Sequence, residues 1–218
     1  MQNISKEDYL SAIYKNTDQD GKIKPSMIAN KLAVTNAAVT DMLRKLSVEG
    51  YIKYERYKSV LLTKKGENYA RNIVRRHRIW EVFLNKIVGL PWDKVHDEAN
   101  RLEHSSSDDL VNRLEEMLDF PEFDPHGDPI PSKNGKMPKI KRQKPLSELE
   151  EGETGIVIRV IDSDGELLNY ISKLGIRLNE KITVKRKLSF DNSMEVLIKV
   201  KLKTISEKLA QNVFVEIK

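Results

Sequence analysis

"KPSMIANKLAVTNAAVTDMLRKLSVEGYI", residues 24–52, divides into two short apolar-periodic runs with a tight connection between them. Pro25 and Ser26 open the first run, whose apolar face is Ile28, Ala29 and Leu32. Thr35 or Asn36 caps the second, where Val39, Met42, Leu43 and Leu46 recur at helical spacing, and Gly50 stops it. Upstream, Ser5 reads as the N-cap of a helix bearing Tyr9, Leu10, Ile13 and Tyr14. Downstream, "YIKYERYKSVLLT" (51–63) sets β-branched and aromatic residues around a charged centre, the pattern of a β-hairpin. Helix, short turn, helix and hairpin together make a winged helix-turn-helix.

The second helix of such a motif fits the DNA major groove, and the hairpin reaches the neighbouring backbone. The candidate DNA contacts are Thr35, Asn36, Ala37, Ala38, Thr40, Asp41, Arg44 and Lys45 on that helix, with Arg56, Tyr57 and Lys58 at the wing tip. Small side chains let the backbone approach base edges. Arg44 and Lys45 suit phosphate or guanine, and basic wing tips contact phosphates. Residues 1–75 carry 14 Lys and Arg against 8 Asp and Glu, in a chain of net charge +5. That asymmetry fits a polyanionic partner, although a solvated basic surface or a winged helix used for protein contacts would carry it too.

Beyond the hairpin, Thr63 starts a long helix that ends near Gly89, and a second helix starts around Trp92 or Asp93. A third follows "SSS" (105–107), with Leu110, Val111, Leu114, Met117 and Leu118 as its stripe. Residues 121–145 hold six of the eight prolines and read as a linker or an ordered extended segment. The remainder reads as strands interrupted by one short helix at 166–174, forming a small β-barrel or sandwich. The chain has no cysteine, which removes disulfides and thiolate chemistry. It has no apolar run of membrane-spanning length, and MQNISKEDY lacks the layout of a secretory signal, so a cytoplasmic location is expected.

On the first two of these helices, His77 and Glu81 stand i, i+4, and His96, Asn100, Glu103 and His104 share one face at i, i+4, i+7 and i+8. Three of the four histidines thus meet carboxylates on neighbouring helices. Imidazole with carboxylate and carbonyl oxygen suits a divalent ion such as Mn2+ or Fe2+, and the absence of thiolate argues against Cu(I). Asp8 adds an oxygen if the first helix packs across the pair. A surface ion pair is the plain alternative for His77 and Glu81. A hydrolase would use the same ligand types, but no HExxH helix, Gly-rich phosphate loop or evident nucleophile is present.

"HRIWEVFL…GLPWDKVHDEANRLEH" (77–104), with "DPHGDPIP" (124–131), resembles the diphtheria toxin repressor family of metal-dependent regulators, which includes iron-dependent repressors and manganese transport regulators. The resemblance covers essentially the whole chain. It implies an α+β architecture: a winged helix-turn-helix DNA-binding domain (1–64), an all-α metal-binding and dimerisation domain (65–120), a proline-rich linker (121–145) and a small SH3-like β-barrel (146–218), similar to a ferrous transport protein A domain.

Carried over by position, the resemblance implies a primary metal site of Asp8, Asn100, Glu103 and His104. It implies an ancillary site of His77, Glu81, His96 and Asp164, with Asp162 or Glu166 as substitute donors. Iron-type members carry methionine and cysteine where this chain has Asp8 and Asn100, and manganese-type members carry acids where it has Asn100 and Ser11. The exchange of sulfur for oxygen hardens the primary site toward Mn2+. The implied function is a homodimeric repressor, not an enzyme, that binds Mn2+ or Fe2+ at two sites per subunit. Metal then promotes binding to a pseudo-palindromic double-stranded operator of metal-uptake genes. No membrane and no small-molecule substrate is involved. Pro125, Pro129 and Pro131 are expected to dock on the SH3-like domain when metal is absent. A metal-independent winged-helix regulator acting through protein partners and a metallohydrolase are the alternatives; a metal-dependent shift of a promoter fragment separates all three.

Overall fold

The computed structural model describes residues 5–55, 58–162 and 165–217. Helix α1 (Lys6–Lys15) starts at a reciprocal capping box: the Ser5 hydroxyl accepts from the Asp8 N–H, and the Asp8 carboxylate accepts from the Ser5 N–H at 2.7 Å. Strand β1 (Lys22–Ile23) precedes α2 (Pro25–Leu32), which has proline in its first turn and ends at Ala33 in the left-handed conformation. That residue makes the tight connection to α3 (Asn36–Val48). The cap of α3 is Thr35, whose hydroxyl accepts from the Ala38 N–H at 3.2 Å. Strands β2 (Ile52–Lys53) and β3 (Val60–Leu62) form the expected hairpin, and β1 joins the far side of β3. The wing-tip residues Arg56 and Tyr57 lie outside the described residues.

Leu10, Ile13, Ile28, Val39, Leu43, Leu46 and Val60 are fully buried and close a first core with Ala70 and Ile73 of α4 (Lys64–Lys86). Burying side chains of this size contributes about 1.5–3 kcal/mol each. Helix α4 is capped by Thr63 and runs 23 residues, so it leaves that core and enters a second region. There Leu84 packs on Val95 and Ala99 of α5 (Trp92–Glu103), while Ile79 and Val82 pack on Val111 and Leu114 of α6 (Asp108–Met117). His104 is the C-cap of α5 and keeps a right-handed helical backbone, so its i, i+4 relation to Asn100 survives the helix end. No helix among the described residues is long and apolar enough to cross a membrane.

The C-terminal region holds β4 (Lys144–Pro145), β5 (Thr154–Val160), α7 (Gly165–Lys173), β6 (Lys181–Lys187), β7 (Met194–Ile198), β8 (Lys201–Ile205), α8 (Glu207–Gln211) and β9 (Val213–Ile217). The strands form one antiparallel sheet in the order β4-β9-β5-β6-β7-β8. The expected barrel is therefore not closed among the described residues, because β4 and β8 end the order without pairing to each other. Register shifts at Val157/Arg159 and Val184/Arg186 instead bend the sheet around Leu146, Val157, Ile182, Val196 and Val215. Among the described residues, two short α-helices and a 3-10 turn (Leu146–Glu148), rather than one helix, interrupt the strands.

The proline-rich segment begins as an ordered tight turn, closed by the Phe123–Pro129 bridge, that docks on the end of the interior strand β5. The Val160 N–H donates to the His126 carbonyl at 2.9 Å, Arg159 meets Asp128 at 3.4 Å, and Arg78 of α4 donates to the Pro129 carbonyl. These contacts run through His126, Gly127 and Asp128, the residues between the prolines. Gly127 has φ +91°, and a Cβ there would lie 2.0 Å from the Ile158 carbonyl oxygen. Gly127→Ala is expected to lower the unfolding free energy by about 2–4 kcal/mol, summing left-handed strain and overpacking. Gly152→Ala shares the positive φ (+85°) but meets nothing within 4 Å, so in urea denaturation it should lose only the strain component.

Candidate metal centres

Helical spacing brings His77 and Glu81 onto one face of α4, and α5 lays His96 against them. The His77 and His96 rings sit 4.7 Å apart, edge to face. Glu81 Oε1 lies 3.0 Å from His77 Nε2 and 3.1 Å from His96 Nδ1, and Asp162, just after β5, puts Oδ2 3.4 Å from His96 Nδ1. One donor atom from each of these four residues falls within 4.8 Å of the others. His77 and Glu81 are buried, Glu81 completely. Of the expected ancillary set, His77, Glu81 and His96 are brought together. Asp164 lies outside the described residues, and Asp162, the substitute donor, occupies the corner it was expected to fill.

A second cluster gathers Asp8, Glu103 and His104. His104 Nε2 faces Asp8 Oδ1 at 3.2 Å and Glu103 Oε1 at 3.3 Å. Glu7 receives His104 Nδ1 at 2.7 Å and the Tyr69 hydroxyl at 2.7 Å. A ring whose Nδ1 proton is held in this way leaves Nε2 for a metal. Asp8 does two jobs at once, since Oδ2 holds the Ser5 cap while Oδ1 faces His104. Asn100 is half-buried one turn before Glu103 and His104, on their face of α5. The two clusters are joined, because Glu103 Oε2 contacts His77 Nδ1 at 2.7 Å.

Sequence reasoning missed a third group, Glu81, Asp124 and His126, all buried. His126 Nε2 donates to the Trp92 carbonyl at 2.8 Å, and Nδ1 faces Glu81 Oε1 at 3.9 Å. Among the described residues, five buried side-chain nitrogen or oxygen atoms lack a hydrogen-bond partner. Three of them are Glu81 Oε2, Asp124 Oδ2 and His126 Nδ1. Orphaned buried polar atoms cost about 1–3 kcal/mol each. All three residues can serve as metal ligands, with one donor atom from each within 4.8 Å of the others, a spacing that a divalent cation would satisfy; Asp124 Oδ2 also faces Arg78 Nε at 3.5 Å. The donor set of oxygen and imidazole, with no sulfur, fits Mn2+ or Fe2+.

The electrostatics match. Burial disfavours the charged form of His96, but the carboxylates of Asp162 and Glu81 outweigh it and push the imidazole up to about 10. Burial would also raise Glu81, yet the His77, His96 and His126 rings hold it well below the usual carboxylate range. Asp124 is raised well above that range by burial and by the charge of Glu81. A bound cation would reverse that shift.

On the DNA-facing side, Thr35, Asn36, Ala37, Ala38, Asp41, Arg44, Lys45 and Lys58 are exposed. Thr40 is half-buried, with its hydroxyl donating to the Asn36 carbonyl at 2.9 Å. Arg44 pairs with Asp41 at 3.7 Å in the open, a weak contact that leaves the guanidinium available to phosphate.

Comparison with known proteins divides the chain along the same lines. Residues 3–60 match the N-terminal DNA-binding domain of iron-dependent repressors, 63–132 their metal-binding and dimerisation domain, and 144–217 the FeoA domain. The HTH-type transcriptional regulator MntR of Bacillus pumilus (strain SAFR-032) is 35% identical over 116 residues, 53% of this chain and 80% of the relative. The iron-dependent repressor IdeR of Mycobacterium leprae (strain TN) is 29% identical over 192 residues, 82% of each chain. A manganese-dependent transcriptional repressor solved in complex with manganese superposes with a TM-score of 0.90 at 34% identity, over 98% of this chain and 100% of that one.

The folded His96 loses its proton near pH 10, whereas an unfolded histidine does so near 6.5. A raised folded pKa contributes stability that is complete below 6.5 and fades as pH climbs toward 10. Chemical denaturation of the metal-stripped protein should therefore show stability falling across that window. The fall should be smaller in His96→Gln.

Proposed function

Because the chain belongs to the diphtheria toxin repressor family of metal-dependent, DNA-binding transcriptional regulators, and not to a family of enzymes, we propose that it is a homodimeric repressor in which Mn2+ or Fe2+ promotes operator binding. The observation that carries this reading is the meeting of Asp8, from the first helix of the DNA-binding unit, with Glu103 and His104 at the end of α5. A divalent ion at this point supplies two positive charges between groups that belong to different parts of the molecule.

The primary site consists of Asp8, Asn100, Glu103 and His104. The ancillary site consists of His77, Glu81, His96 and Asp162, with Asp124 and His126 on the buried flank of Glu81. The chain's own residues do the rest. Glu7 fixes the ring of His104, Glu103 couples the two sites, and the Ser5–Asp8 cap makes the start of α1 rigid enough to respond as a unit. Oxygen donors dominate the primary site, which favours Mn2+ over softer ions. The relatives include regulators named for manganese and for iron.

The division at 1–64, 65–120, 121–145 and 146–218 is a functional one, with packing that crosses two of its boundaries: the first core takes in Ala70 and Ile73 of α4, and Ile130 joins the core of the helical unit. Exposed Ile87, Val88, Leu110 and Met117 on the helical unit suit a subunit interface. A two-fold dimer presents two α3 helices to two half-sites of a pseudo-palindromic operator. Repression of metal-uptake genes in the cytoplasm is the output such a device serves.

Anisotropy titrations of a palindromic promoter fragment test the reading. Wild type should gain about 5–150-fold in DNA affinity with saturating Mn2+, the usual range of allosteric coupling. Asp8→Ala and His104→Ala should lose that gain while remaining dimers in light scattering. An unchanged metal dependence in either variant rejects the primary-site assignment. Arg44→Ala should reduce the log–log salt slope of DNA binding by about 1 per subunit.

A further inference from the structure

Three of the five orphaned buried atoms sit among the metal-ligand candidates; the other two are Arg71 Nε and Arg75 Nε. Both arginines line one cavity, about 280 Å³ in volume, on the opposite side of α4's sequence register from His77 and Glu81. Asn68, Arg71, Asn72 and Arg75 form one stripe of that helix, at i, i+3, i+4 and i+7. The facing wall is a tight turn, in which the Gly135 N–H donates to the Ser132 carbonyl at 2.8 Å and the Ser132 N–H to the Lys136 carbonyl at 2.9 Å. The turn closes directly on the arginine: a Cβ on Gly135 would stand 2.4 Å from Arg71 Nη1.

The lining is cationic and rich in donors. Arg71, Arg75 and Lys133 face the cavity, and no carboxylate lines it. The acids that pair with the arginines, Glu67 and Glu115, stand outside the wall. Lys133 has no ion pair among the described residues. Arg75 is only 2% exposed, with Nη2 committed to Glu115 and to Asn112. A buried guanidinium with a free N–H edge needs an acceptor. The amide and hydroxyl groups of Asn68, Asn72, Ser132 and Asn134 complete a lining in which every fixed charge is positive. A tetrahedral oxyanion brings several acceptors and a compensating charge.

We propose that this cavity is an oxyanion site that takes a phosphate group, held between Arg71, Arg75 and Lys133 and capped by the 132–135 turn. The phosphate is either free in solution or part of a DNA backbone. In both cases the bound group ties the segment after Ile130 to α4, away from the metal ligands.

Calorimetry of the full-length protein with sodium phosphate, against sodium chloride at matched ionic strength, should give saturable binding. ¹⁵N spectra should show the Gly135 amide shifting with the same affinity. Lys133→Glu, at an exposed position without an ion pair, should weaken phosphate binding by about tenfold or more. Arg71→Gln should do the same, and both variants should keep wild-type Mn2+ affinity, which shows that they fold. Phosphate that behaves as chloride does, or variants that bind phosphate as wild type does, overturn the site. DNA titrations in phosphate-free buffer identify the source. If the backbone supplies the group, Lys133→Glu weakens duplex binding, lowers the salt slope by about 1, and free phosphate competes. If free phosphate is the ligand, duplex binding in that buffer is unchanged while calorimetric binding is lost.

Discussion

Glu81 brings a carboxylate into a position with no solvent exposure. An ion buried in this way loses several kcal/mol of hydration unless positive charge and hydrogen bonds meet it. His77 comes from the same helix, His96 from α5 and His126 from the turn at 123–129, and Asp162 joins through His96 from just beyond β5. Four stretches of chain distant in sequence are thus gathered around one negative charge. The docking of the proline-rich segment is part of the same arrangement: His126 stacks on Trp92 at 5.8 Å, and Trp92 packs against the core of the C-terminal sheet.

Glu103 extends that network toward the DNA-binding unit. One of its oxygens lies against His77 and the other against His104, which in turn faces Asp8 on α1. A single side chain at the end of α5 therefore touches both clusters. The geometry supplies the physical connection that thermodynamic coupling between metal and DNA requires, a continuous run of short polar contacts from a buried centre to the helix preceding the helix-turn-helix. Asp8 anchors the far end because one of its oxygens is already fixed by the helix cap, which limits where the other can point.

What could be read from the residues followed the regular elements. The 24–52 pattern located α2 and α3 because capping residues and apolar spacing agree there, and helical spacing in 77–104 placed the His and Glu side chains on facing helices. Asp124 and His126 were missed because they sit between prolines, where no periodicity indicates which way a side chain points; only tertiary docking turns them toward Glu81. Asp162 reaches His96 from just beyond β5, outside any periodic element that would indicate its direction, and Asp164 lies outside the described residues. The strands of the small SH3-like domain were legible, but the openness of their sheet among the described residues was not. Alternation identifies strands, but whether the first and last pair depends on bulges and strand lengths that the alternation does not encode.

Helix α4 takes part in every one of these features. Ala70 and Ile73 enter the first core, Arg71 and Arg75 stand on another face of the same turns, and the later turns carry His77 and Glu81. At ~1.5 Å per residue its 23 residues span ~35 Å. A rod of that length converts angle into displacement: a tilt of about three degrees at one end moves the other by ~2 Å, more than half the length of a hydrogen bond. The tolerance for misalignment between the His77–Glu81 end and the end packed in the first core is accordingly small, and the helix acts as a lever between them.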